Sequence, residues 1–119
     1  MEWTQPRLGT SSSHFLEEAS RRDLAYLHVV DMGEDCPGTL TYVRGAYDGL
    51  VITNNMLKPD AAAALIETGE ADAVSFGRAF IANPDYPTRI QTGTALAKPD
   101  YSLLYTGEER GYCDYPAAE

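Results

Sequence analysis

Three short apolar runs, separated by segments of helical character, constrain this chain's fold more than any other feature. They are LAYLHVV at 24–30, GLVIT at 49–53 and ADAVSF at 71–76. In the first, Leu24, Tyr26, Leu27, Val29 and Val30 follow one another with little polar interruption, the pattern of a strand covered on both faces. Buried strands alternating with helices predict a parallel sheet built from strand–helix units.

The connecting segments supply the helices. SHFLEEASRRD at 13–23 places Phe15, Leu16 and Ala19 at helical spacing, with acids early and arginines late, an order that suits the helix dipole. TLTYVRGAYDG at 39–49 is ambiguous between a short helix and irregular structure. Pro59 and Asp60 open a helix through AAAALIET, and Gly69 closes it. Asn83 is expected to cap a last helix through PDYPTRIQT that ends at Gly93, with Arg89 on its surface. Residues 1–14 read as an N-terminal lead-in of loop or disordered character, and 15–119 as one α/β unit with a tail of ordered loops.

Three strands make only part of an eight-stranded barrel, which takes about 250 residues, whereas this chain has 119. A net charge of −9 argues against a general nucleic-acid or anionic-membrane surface. No apolar run is long enough to span a bilayer, and the first residues lack the charge and apolar stretch of a secretory signal. Two distant cysteines, Cys36 and Cys113, support neither a disulfide framework nor a zinc site, and point to reduced thiols in a cytoplasmic setting.

Candidate chemistry gathers at two strand ends. Asn54 and Asn55 follow the second run and Gly77 and Arg78 follow the third. In parallel α/β folds ligands sit at the carboxyl ends of strands, and in barrels the last two such loops often bind phosphate. Gly77 lets the backbone approach an anion, Arg78 brings a permanent charge on a planar fork of donors, and the asparagines tolerate left-handed backbone while offering amides. The plainer alternative is a tight turn with a surface arginine. His28 reads as a structural histidine. Asp31 and Glu34 read as solvated loop acids, and the tail tyrosines Tyr101, Tyr105, Tyr112 and Tyr115 as cover for one end of the sheet. Neither a nucleophile–base arrangement nor a metal cluster is apparent.

From Phe15 to Pro116, LAYLHVV, SFGR with FIANPD, and the terminal GYCDYP resemble the last third of the Old Yellow Enzyme family, FMN-dependent NAD(P)H oxidoreductases on a TIM (β/α)8 barrel. The resemblance implies that the chain holds the C-terminal portion of such a barrel, about three βα units, in which the three runs are strands six to eight. Gly77 and Arg78 then match the family's FMN-phosphate residues, Asn54 and Asn55 fall in the strand-seven phosphate loop where the family usually has glycine, and Tyr105 falls beside the substrate pocket. Arg7, in PRLG, resembles the family's strand-five arginine. The implied chemistry is reduction of FMN by NAD(P)H, followed by hydride transfer to an activated, enone-type alkene. The family's carbonyl-polarising and proton-donating residues find no counterpart here, so the resemblance implies a fragment or truncated paralogue that is weak or inactive in catalysis alone. An open sheet edge at the first strand would call for a complementary barrel chain or self-association. The alternative is a non-catalytic interaction or regulatory module derived from the same barrel.

Overall fold

The computed structural model describes residues 10–31 and 38–118. Arg7, Glu34 and Cys36 lie outside the described residues. The chain divides into two compact units, Met1–Ser75 and Phe76–Glu119.

The first unit is a layered α/β structure. Helix α1 (Thr10–Ser20) leads to strand β1 (Leu27–Val30), then come α2 (Thr39–Ala46), β2 (Val51–Asn54), α3 (Pro59–Glu67) and β3 (Ala73–Val74). The strands form one parallel sheet in the order β1-β2-β3. The expected parallel sheet and the Pro59-initiated, Gly69-terminated helix are both present, Gly69 taking a left-handed φ of 76°. The ambiguous segment at 39–49 is helical, because Leu40 and Val43 recur on one face and bury it.

Register explains the core. Leu27, Val29, Val51 and Thr53 share one face of the sheet, and His28, Val30, Ile52, Asn54 and Ser75 the other. The first face packs beneath Leu16 and Ala19 of α1 and Leu40, Val43 and Tyr47 of α2 and its end. The second is open, leaving Val30 57% exposed. The expectation of a first strand covered on both faces is therefore corrected. β1 buries one face in part, and Leu24 and Tyr26, counted into the run, are exposed ahead of the strand.

The dipole reading of α1 is also corrected. The helix begins at Thr10, inside the stretch read as a lead-in, so Glu17 and Glu18 fall in its later half and Arg21 and Arg22 lie beyond its end. Glu18 instead pairs with Arg21 at 2.8 Å. At the N-terminal side of the sheet, Arg44 of α2 donates to Asp72 and to the Gly49 carbonyl, each at 2.7 Å, and Asp72 also accepts the Val51 N–H at 2.8 Å. Those bonds, the Val51 N–H first and Arg44 second, hold the Asp72 carboxyl below the usual aspartate range.

The second unit contains α4 (Arg78–Ala82), α5 (Tyr86–Thr92) and a tail of turns. Gly93 ends α5 at a φ of 70°, as expected. Two other expectations are corrected. The residue before α5 is Asp85, and Asn83 is fully buried, giving its amide to the carbonyls of Ala79 (2.8 Å) and Ala97 (3.0 Å) and accepting the Ala97 N–H at 2.7 Å. Arg89 is not a surface residue. It is 8% exposed and donates to Asp85 (2.7 Å) and to the carbonyls of Ala95 and Pro116 (3.0 Å each). Tyr86 packs against Phe76 and Phe80, with ring centroids 5.0 and 5.8 Å away, and its burial pushes the phenol pKa up.

Candidate flavin-phosphate site

Each half of the predicted site lies at a strand end or in the loop that follows it, and the halves belong to different units. In the first, Asn54 ends β2 on the open face of the sheet, opposite Val30. Its side-chain amide is already engaged, donating to the Ser75 carbonyl at 3.0 Å and to the Ser75 hydroxyl at 3.2 Å. His28 contacts the same hydroxyl through Nε2 at 2.9 Å. His28, Asn54 and Ser75 thus form a polar row across the open face, built by the parallel register that brings every second residue to one side. The structural reading of His28 fits this row. In the sequence nothing but its place beside Phe76-Gly77-Arg78 marks Ser75.

Asn54 and Asn55 can tolerate left-handed backbone, but neither adopts it. The positive φ, 39°, falls on Met56, whose side chain is 83% exposed. Non-glycine residues reach that region at a cost of about 1–2 kcal/mol. The loop after β2 therefore offers an engaged amide at Asn54, a partly buried Asn55 and a strained Met56, rather than two free asparagine amides.

In the second unit, Gly77 directly precedes α4 and Arg78 begins it. Both are exposed. Among the described residues, the space a Cβ would take at Gly77 is bordered only by the Tyr105 hydroxyl, at 3.4 Å, so the backbone there is approachable. The Arg78 guanidinium lies 5.9 Å from the centre of the Tyr101 ring. Tyr105 has a φ of 65°, an uncommon conformation for a bulky residue, and is 65% exposed. Glycine, arginine and two tyrosines therefore meet in one small region of the second unit. Among them, an open backbone and a guanidinium are suited to an anion, and the aromatic rings to a flat or charged surface.

The model of the NADH:flavin oxidoreductase / NADH oxidase family matches residues 16–97, which include Asn54, Asn55, Gly77 and Arg78. The chain belongs to this family. It is 36% identical over 105 residues to a probable flavin mononucleotide-dependent alkene reductase of Leishmania infantum, covering 87% of this chain and 29% of that protein. To a 12-oxophytodienoate reductase-like protein of Solanum lycopersicum it is 34% identical, covering 91% of this chain and 31% of the relative. Among solved structures, the old yellow enzyme from Trypanosoma cruzi superposes with a TM-score of 0.81 at 37% identity, covering 90% of this chain and 29% of that enzyme. Morphinone reductase in complex with tetrahydroNAD gives the same TM-score at 40% identity, covering 90% and 30%. The resemblance to Old Yellow Enzymes is thus shown, and the chain spans about 30% of the length of the relatives it matches. Its short parallel sheet is consistent with part of their TIM barrel. Among the described residues, no helix is long and apolar enough to cross a membrane.

Proposed function

We propose that this chain forms the C-terminal part of an FMN-dependent NAD(P)H oxidoreductase barrel, with β1, β2 and β3 as strands six to eight, and contributes residues that hold the FMN phosphate. The observation that carries the reading is the exposed Gly77–Arg78 pair at the start of α4, inside the family match. Gly77 would offer its backbone N–H and Arg78 its guanidinium to phosphate oxygens, a charge-assisted contact. By the resemblance, Asn55 belongs to the strand-seven loop. Asn54 fits less well, because its amide is held by Ser75 and acts as a brace for the loop. Tyr105, which the resemblance puts beside the substrate pocket, has its hydroxyl next to Gly77 and so borders the phosphate approach. When bound, FMN supplies the redox chemistry, with NAD(P)H as reductant and an enone-type alkene as acceptor, while these residues bind and orient its tail.

The outer edge of β1, first in the sheet order β1-β2-β3 and paired on that side by no described strand, supports a requirement for further barrel strands from a complementary chain or a second copy. Alone, the chain is expected to be weak or inactive as a reductase. The same open edge, together with the engaged Asn54, favours the alternative of a non-catalytic interaction module. Titration with FMN and with riboflavin, followed by flavin fluorescence, separates the readings. A preference for FMN that falls at least tenfold in Arg78→Ala and is unchanged in Arg22→Ala, on the exposed residue beyond α1, supports a phosphate site. No binding of either flavin at saturating concentration favours the module.

A further inference from the structure

The tail beyond α5 is tied down near both ends. Ala97 is held by both ends of the Asn83 amide, and Pro116 and Ala118 are held by Arg89 and Asp85. Between these anchors Leu104 is buried, and the intervening turns carry their own backbone hydrogen bonds. The residues on either side of Tyr101 are fixed as well. Asp100 accepts the Ser102 N–H at 2.9 Å and the Ser102 hydroxyl at 2.6 Å, while its own N–H donates to the Tyr115 hydroxyl at 2.8 Å. This local clamp leaves Tyr101 presented outward, 68% exposed, with its ring against the Arg78 guanidinium. A large aromatic side chain held in that attitude needs a reason, since burial is not one.

We propose that Tyr101 is a positioning residue for Arg78: its ring carries the guanidinium over the approach to Gly77, so that an incoming phosphate monoester meets an arginine already oriented. This rests on the reading of Gly77 and Arg78 as a phosphate site, and deepens it by assigning a residue of the tail to that site. Two physical effects converge. A cation beside an aromatic face is attracted to it at exposed sites as well as buried ones. An arginine restricted before binding loses less side-chain freedom when the anion arrives. Tyr105, whose hydroxyl stands beside Gly77, borders the same approach from the next turn of the tail.

The test uses the full chain and FMN, with riboflavin as the ligand that lacks the phosphate. Tyr101→Leu removes the ring face and Tyr101→Phe keeps it. The expected result is a dissociation constant for FMN raised about 2- to 5-fold by Tyr101→Leu, the size of an exposed cation–π contact. Tyr101→Phe should bind FMN as the parent does, and neither variant should alter riboflavin binding. With Arg78→Ala already present, Tyr101→Leu should add nothing. A merely structural role would weaken both flavins together, and that result overturns the proposal. So does an unchanged FMN constant in Tyr101→Leu alongside a raised one in Arg78→Ala. If Arg78→Ala is itself without effect, or no flavin binds, the phosphate-site reading fails. The Arg78 side-chain proton resonances then decide the contact separately. They should shift in Tyr101→Leu and stay in Tyr101→Phe, and no shift in either overturns the positioning role.

Discussion

In the first unit the described backbone is held by apolar packing: Leu16, Ala19, Leu40, Val43 and Val51 gather over one face of a parallel sheet. From Phe76 to Ala118 much of the work passes to polar side chains. Asn83, Asp85 and Arg89 bond to the backbone of Ala79, Ala95, Ala97, Pro116 and Ala118. The first arrangement tolerates loss of any one contact, because burial is spread over many atoms. The second concentrates it, because each buried donor or acceptor left unpaired costs about 1–3 kcal/mol. The region carrying Gly77, Arg78, Tyr101 and Tyr105 is thus the one that depends on a few bonds.

Arg89→Ala should show that difference most strongly. It leaves the carbonyls of Ala95 and Pro116 without their donor and the Asp85 carboxylate with the Ala118 N–H but no guanidinium. A loss of about 1–3 kcal/mol is expected, the cost of leaving buried carbonyl acceptors without a donor. Hydrogen exchange should show the amides of Thr94, Ala97 and Ala118 losing protection first, with those of Leu27, Asp72 and Ser75 keeping theirs. Equal loss in both sets would break the contrast. Arg89→Lys should not restore protection at both carbonyls, because an ammonium lacks the planar fork that reaches three partners at once.

Among the described residues of the apolar unit, Thr53 is a polar misfit, and it provides a smaller test of opposite sign. Thr53 is fully buried on the packed face of β2, and its hydroxyl has no hydrogen-bond partner among the described residues. Thr53→Val keeps the shape and removes the orphaned group. The urea midpoint should rise, by about 1 kcal/mol in stability terms. A fall would mean that the hydroxyl is satisfied in solution and that the layer is less uniformly apolar than the packing implies.

These contrasts also account for what could be read in the sequence. The strands and α3 were legible because period and punctuation are local signals: alternating or continuous apolar residues, a proline at a helix start, a glycine past its end. Arg89 and Asn83 were misread because their partners lie in irregular backbone up to 27 residues away, and no residue-type pattern announces such a bond. Helix α4 was not anticipated as a separate element, since five residues carry no helical period. At the site, Gly77 and Arg78 stood out as residue types, whereas the engagement of Asn54 by Ser75 and the placement of Tyr101 against Arg78 depend on register and on the path of the tail.

The smallest expected effect is acid sensitivity, and it separates the two regions by what protonation releases. The Ala118 N–H first, with the Arg89 bond also contributing, holds the Asp85 carboxyl below the usual aspartate range; Asp72 is lowered in the same direction by the Val51 N–H and Arg44. A carboxyl lowered in the folded state contributes stability that is present above the ordinary aspartate pKa and is lost as pH falls through the folded value. The window therefore opens near about pH 4 and runs downward. In the first unit the sheet keeps its own bonds when Asp72 is protonated, among them Asp72 N–H to Val51 O and Ser75 N–H to Thr53 O, both 2.9 Å. In the second, Asp85 is itself one of the ties that hold the tail. On acid titration the Ala118 amide should lose protection while the sheet amides persist, and Asp85→Asn should remove most of that pH dependence. Raised salt should shrink the effect, since both carboxylates are partly exposed. Sheet and tail amides exchanging together across this window would show that the two regions answer to protonation alike, and the division between apolar and polar support would not survive.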